Sequence, residues 1–73
     1  PDKDQVIEII KKSTRGFSFS KKVNLSKLAE LAQGLNYSDI AKACNQTIKE
    51  MILAGNEKLD INQLQAALLK RNS

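Results

Sequence analysis

Three glycines divide the chain, and each falls where one apolar pattern stops and the next begins. Gly16, Gly34 and Gly55 separate runs whose apolar residues recur at three- and four-residue spacing. That is the period of a helix buried along one face. The single proline is Pro1, outside every run. A chain punctuated this way folds into helices joined by short corners. Its 73 residues bound it to one small domain with a modest core. We expect an all-α, compact four-helix domain over residues 1–73.

The first helix is expected over residues 3–14. Asp2 caps it, and Gln5, three residues on, completes a capping box. Val6, Ile9 and Ile10 form its inner stripe, widened by Ile7, and Lys11 and Lys12 suit the negative end of the helix dipole. The segment GFSFSKKV then reads as an ordered loop in which Phe17, Phe19 and Val23 plug the core. The alternation of the two phenylalanines has strand spacing, but no second strand is evident for it to pair with. A second helix over 25–33 is capped by Asn24, with Leu25, Leu28, Ala29 and Ala32 inward and Leu31 beside them.

The third helix, over 37–54, is the longest. Asn36 is its N-cap and Asp39 occupies the third helical position. Ile40, Cys44, Ile48, Met51 and Ile52 trace its expected inner face, flanked by Ala41 and Thr47. The fourth helix, over 61–72, repeats the capping-box spacing at Asp60 and Gln63. Ile61, Leu64, Ala67 and Leu68 face inward, and Lys70 and Arg71 close it. The caps at Asp2, Asn24, Asn36 with Asp39, and Asp60 each contribute about 1 kcal/mol.

Much chemistry is excluded. There is no histidine, so histidine catalysis and histidine metal sites are out. The one cysteine, Cys44, can form neither an internal disulfide nor a zinc site, and its apolar neighbours mark it as a core thiol. No G-x-x-x-x-G-K-[ST] phosphate loop is present. The carboxylates are spread over capping and surface positions; Asp39 and Glu50 share a helix but stand eleven residues apart. We therefore expect no catalytic residue, no metal site and no catalysis by this chain alone. No apolar run is long enough to span a bilayer and no signal peptide is visible, so no membrane partner and a reducing, cytoplasmic setting are expected. Pro1 rather than Met opens the chain, which leads us to expect a piece of a longer protein.

The net charge is +4, and the excess is mild. Through Leu35, seven basic residues face four acids, giving +3; from Asn36 onward five face four, giving +1. Lys11, Lys12, Arg15, Lys21, Lys22 and Lys27 could gather near the first loop. That patch supports an alternative reading, a small basic helical module binding nucleic acid or another protein. It falls short of the dense basic stripe of a dedicated nucleic-acid binder, and no helix carries a run of base-reading residues. Nucleic acid is therefore not the expected partner.

The order of the pieces carries a more specific signal. An opening PD leads into a helix with a basic end. V-x-L-x-x-L-A-x-x-x-x-G follows the loop, then G-L-x-Y-S-D-I, then I-K-E-M-I-L-x-G and a final L-x-I-x-x-L-x-x-A-L. Over essentially its full length the chain resembles the small helical lid subdomain of AAA+ ATPases. The G-L-x-Y form of the corner looks most like bacterial stand-alone AAA proteins. The family corner usually reads G-[FY]-S-G-[AS]-D-[IL]; here it is Gly34-Leu35-Asn36-Tyr37-Ser38-Asp39-Ile40, with Tyr37 where the family has glycine.

The resemblance implies a nucleotide-responsive lid that closes over ATP or ADP, bound with Mg in the parent protein. The same chain's large nucleotide-binding subdomain would be its first partner, and neighbouring subunits of a homo-hexamer the second. It places Asn36, Tyr37 and Ser38 on the adenine and ribose side of the nucleotide. The Tyr37 ring would either stack on adenine or turn inward and pack. Some clades carry a sensor arginine at the start of this helix. Here that stretch holds Ser38, Asp39 and Lys42, so the chain resembles the clade without it, with Lys42 a solvated surface residue.

Overall fold

Four backbone N–H groups at the start of any helix lack an intrahelical acceptor, and this chain supplies acceptors from its own side chains. The computed structural model describes residues 1–72 and contains helices α1 (Lys3–Ser13), α2 (Leu25–Leu31), α3 (Tyr37–Leu53) and α4 (Ile61–Arg71). At α1 the Gln5 N–H donates to Asp2 Oδ1 at 2.8 Å, and the Asp2 N–H donates to Gln5 Oε1 at 2.9 Å. This is a complete capping box. Asn24 Oδ1 accepts from the Lys27 N–H at 3.1 Å and Asn36 Oδ1 from the Asp39 N–H at 2.8 Å. At α4 the expected box is not formed. Asp60 Oδ1 accepts from the Asn62 N–H at 2.8 Å, one residue earlier, while the Gln63 N–H turns to the Asp60 carbonyl at 3.1 Å. Asp39 does not cap through its side chain either; its carboxylate faces Arg71.

Each helix ends slightly before the expected limit. The largest difference is at α2, which stops at Leu31 because residues 32–35 tighten into a corner. There the Gln33 N–H donates to Glu30 O at 3.2 Å and the Leu35 N–H to Ala32 O at 3.0 Å. Gly34 sits between them at φ +91°, a left-handed conformation that side-chain-bearing residues rarely adopt.

The helices pack as a closed ring of four contacts: α1 on α3, α3 on α4, α4 on α2 and α2 on α1. The radius of gyration is 11.1 Å, against about 11 Å for a compact domain of this length. Val6, Ile9 and Ile10 of α1 meet Leu28 and Ala29 of α2 and Leu64 and Leu68 of α4 in one apolar cluster.

The inner face of α3 is rotated from the expected one. Ile40, Ala43, Cys44, Thr47 and Met51 are buried, Ile48 is half-buried, and Ile52 is 63% exposed. At about 100° per residue, Ile52 lies about 120° around the helix from Ile40, whereas Thr47 and Met51 lie within about 20° of it. Following the largest apolar side chains draws the face toward Ile48 and Ile52. Following Ala43 and Thr47 gives the observed stripe. Thr47 tolerates burial because its hydroxyl donates to Ala43 O at 2.9 Å.

The loop also departs from expectation. Phe19 has a partner after all: it forms an isolated parallel bridge with Leu59. The Leu59 N–H donates to Ser18 O at 2.8 Å and the Ser20 N–H to Leu59 O at 2.9 Å. Phe19 and Val23 pack on the core, but Phe17 is exposed. The plug that completes this end is Leu59, which is fully buried.

The rotated face makes a direct test. Leu64→Ala removes a fully buried side chain and should cost about 2–5 kcal/mol. Ile48→Ala should cost clearly less, and Ile52→Ala should stay within about 0.5 kcal/mol of the parent. Chemical denaturation of the three variants checks the order.

Candidate functional site

The corner between α2 and α3 is built from the backbone outward. Gly34 turns the chain, and Leu35 is buried beneath it as an anchor. Asn36 then caps α3, and the first intrahelical bond runs from the Ile40 N–H to Asn36 O at 3.2 Å. The Tyr37 and Ser38 N–H groups precede that bond, so they lie at the positive end of a 17-residue helix without an intrahelical acceptor. Asn36, Tyr37 and Ser38 are all exposed and contiguous.

Tyr37 is 54% exposed. Of the two placements open to its ring, inward packing is therefore not adopted. It borders a groove of about 490 Å³ shared with Pro1, which precedes α1, and with Asp4, Gln5, Glu8 and Ile9 of its first two turns. Ile9 gives the groove an apolar wall, Tyr37 an aromatic one, and Asp4 and Glu8, one helical turn apart, put carboxylates at its edge. Such a groove suits a flat or apolar group, or one that donates hydrogen bonds. It repels a polyanion. Asn36 and Ser38 do not line it.

The corner is also held from α4. Arg71 Nη1 lies 3.8 Å from Asp39 Oδ1. Asn72 Nδ2 donates to Gln33 O at 2.8 Å and approaches Leu31 O at 3.4 Å. These contacts span up to 41 residues, and sequence spacing gave no sign of them. Nor did it show that Asp4, Glu8 and Ile9 would come beside Tyr37.

The other residues singled out from sequence lie elsewhere. Lys42 is exposed on α3, and Lys11, Lys12, Arg15, Lys21, Lys22 and Lys27 are all exposed. No group of three or more potential metal ligands occurs among the described residues. No helix among them is long and apolar enough to cross a membrane. Cys44 is fully buried, and the loss of hydration of its charged form pushes the thiol up to about 11. It is a neutral core group at neutral pH, not a nucleophile.

Comparison with protein-family models, with curated proteins and with solved structures finds no match to this chain.

The raised thiol pKa has a consequence for stability. The unfolded chain gives up the Cys44 proton near pH 9, whereas the folded chain keeps it until about 11. Above pH 9 the unfolded state binds fewer protons, so this group's contribution is complete below that pH and is lost as pH rises toward 11. Between pH 9 and 11 the parent should therefore lose more stability than Cys44→Ala does. Denaturant unfolding of both proteins across that range measures the difference.

Proposed function

We propose that this chain is the nucleotide-responsive lid subdomain of an AAA+ ATPase. The observation that carries the reading is the placement of Tyr37: an exposed ring at the mouth of the longest helix, beside an open groove and two uncommitted N–H groups. The resemblance in sequence runs through these same residues, and the all-helical, four-helix architecture is consistent with it.

The chemistry of the corner defines what the lid contributes. Its groove fits a heteroaromatic base against Tyr37 and Ile9, with the Asp4 and Glu8 carboxylates able to accept from an exocyclic amine. The Asp4 and Glu8 carboxylates disfavour a triphosphate there by like-charge repulsion. The phosphates and their metal belong to the large subdomain, which supplies the hydrolytic chemistry. The lid holds the base and ribose side and moves as a packed unit when the nucleotide changes. Its exposed faces then bear on a neighbouring subunit of the hexamer, and the setting of the whole machine is cytoplasmic.

A basic interaction module is the competing reading, and the exposure of all six cations flanking the first loop is what favours it. Titration with duplex DNA at low salt separates the two. Binding that weakens steeply with salt supports the basic module, and its absence removes the nucleic-acid form of that reading.

In the full-length ATPase, Tyr37→Ala should weaken ATP and ADP binding by the same factor, about two- to tenfold, because both carry the base and an aromatic contact is worth about 0.5–1.5 kcal/mol. Lys42→Ala should leave both affinities unchanged. The melting temperature of Tyr37→Ala should stay at the parent value, since the ring is exposed. Fluorescent-nucleotide titration and thermal melting of the two variants check this, and unchanged affinity in Tyr37→Ala overturns the reading.

A further inference from the structure

We infer that Asn72, with Arg71 beside it, is a latch that positions the α2–α3 corner, and that the end of α4 thereby sets where Tyr37 stands. The functional part of this inference rests on the reading of Tyr37 as the nucleotide contact. The mechanical part stands on geometry alone.

The corner needs an external hold. α2 is seven residues long, too short to persist by its own hydrogen bonds. Its last carbonyls have no intrahelical donor. Asn72 binds just past it: its side-chain amide donates to Gln33 O, two residues beyond the helix, at 2.8 Å and reaches the last helical carbonyl, Leu31 O, at 3.4 Å. The same residue is the C-cap of α4, where its own N–H is bound to Leu68 O and Leu69 O at 3.2 and 3.1 Å. Its backbone is therefore fixed to one helix while its side chain fixes the end of another. One residue earlier, Arg71 approaches Asp39 in the first turn of α3 at 3.8 Å. The two contacts grip the corner from both sides, α2 through Asn72 and α3 through Arg71, and Tyr37 lies between the points held.

The space around Gly34 fits the same picture. A Cβ built on Gly34 would stand 3.6 Å from Asn72 Oδ1, so the amide closes directly over the turn. Gln33 O, which receives the stronger bond, immediately precedes that glycine. Only three residues, Gly34 to Asn36, separate this anchor from Tyr37. A shift at the end of α4 is transmitted to the groove over that short, tightly bonded stretch. Because coupling is reciprocal, a ligand that immobilises the corner must also hold the end of α4.

Asn72→Asp keeps shape and size but replaces the amide donor with a carboxylate, so a change counts only where the uncharged Asn72→Ala shows it too. Asn72→Ala is its companion, and Tyr37→Ala serves as the comparison in nucleotide binding. Amide hydrogen exchange by NMR is the primary measurement and needs no nucleotide. The Leu35 and Asp39 amides, bonded to Ala32 O and Asn36 Oδ1, should exchange about fivefold faster in both Asn72 variants. The Ile10 and Thr47 amides, in the core of α1 and α3, should keep their parent rates. Unchanged exchange at the corner, or an equal increase at all four amides, overturns the latch.

In the full-length ATPase, Asn72→Asp should weaken nucleotide binding with its melting temperature near the parent's. Should Tyr37→Ala leave affinity unchanged while corner exchange still rises in the Asn72 variants, the nucleotide reading falls and the latch stands. If Tyr37→Ala weakens binding and Asn72→Asp does not, the latch does not position the site.

Discussion

Along α3, Ile40, Ala43, Cys44, Thr47 and Met51 are shielded from water where the helix packs on α1 and α4. This stripe is the constraint on which the rest of the fold depends. Burial of apolar surface contributes about 25 cal/mol per Å², and most of the buried apolar side chains among the described residues belong to one cluster. Ala43 and Thr47 are small enough to allow close approach of neighbouring helices. The hydroxyl of Thr47 is satisfied within its own helix, so its burial leaves no orphaned group. With α3 fixed, α1 and α4 take their places against it, and α2 closes the ring between them.

The hydrogen-bond economy at the helix ends follows the same logic of local satisfaction. α1, α2 and α3 begin on a side-chain acceptor that binds an N–H three residues on. α4 uses a shorter reach, from Asp60 to Asn62. The difference belongs to the segment before it, where Leu59 is drawn into the core and bonded to Ser18 and Ser20. A chain already tied down at Leu59 enters α4 at an angle fixed from outside the helix, and the cap adapts to it. The Phe19–Leu59 bridge thus connects the loop after α1 to the start of α4.

At the opposite end of α4 lies the corner, where three features of different origin meet. The helix start of α3 offers N–H groups, α1 offers a groove edged with carboxylates, and α4 offers the amide and guanidinium that hold the turn. On the proposed lid reading, the groove and the helix start favour different parts of a nucleotide. Carboxylates accept from donors and repel phosphate, while free N–H groups favour an acceptor or an anion. A nucleotide has both kinds of group on one molecule, with the base and the phosphates separated by the ribose. The arrangement is therefore compatible with a base at Tyr37 and phosphates directed away from α1.

The helices and most of their caps were determined locally. Asp2 with Gln5, Asn24 and Asn36 act within three residues of themselves, so spacing alone identified them. The inner residues of α1 and α4 were largely legible from their three- and four-residue spacing, although Ile61, expected inward, is only partly buried. On α3 such spacing failed, since the rotation of a helix is set by which neighbours press on it, and the chosen stripe includes an alanine and a threonine. Leu59 was missed because it belongs to no periodic run. The corner was half legible. Gly34, Asn36 and the exposed start of α3 are local properties, readable from residue type. The groove beside Tyr37 and the hold of Arg71 and Asn72 exist only when α1 and α4 arrive from more than twenty residues away along the chain. Local chemistry named the residues of the corner. Helix packing decided what surrounds them, because nearest neighbours in space are chosen by the burial of the whole core.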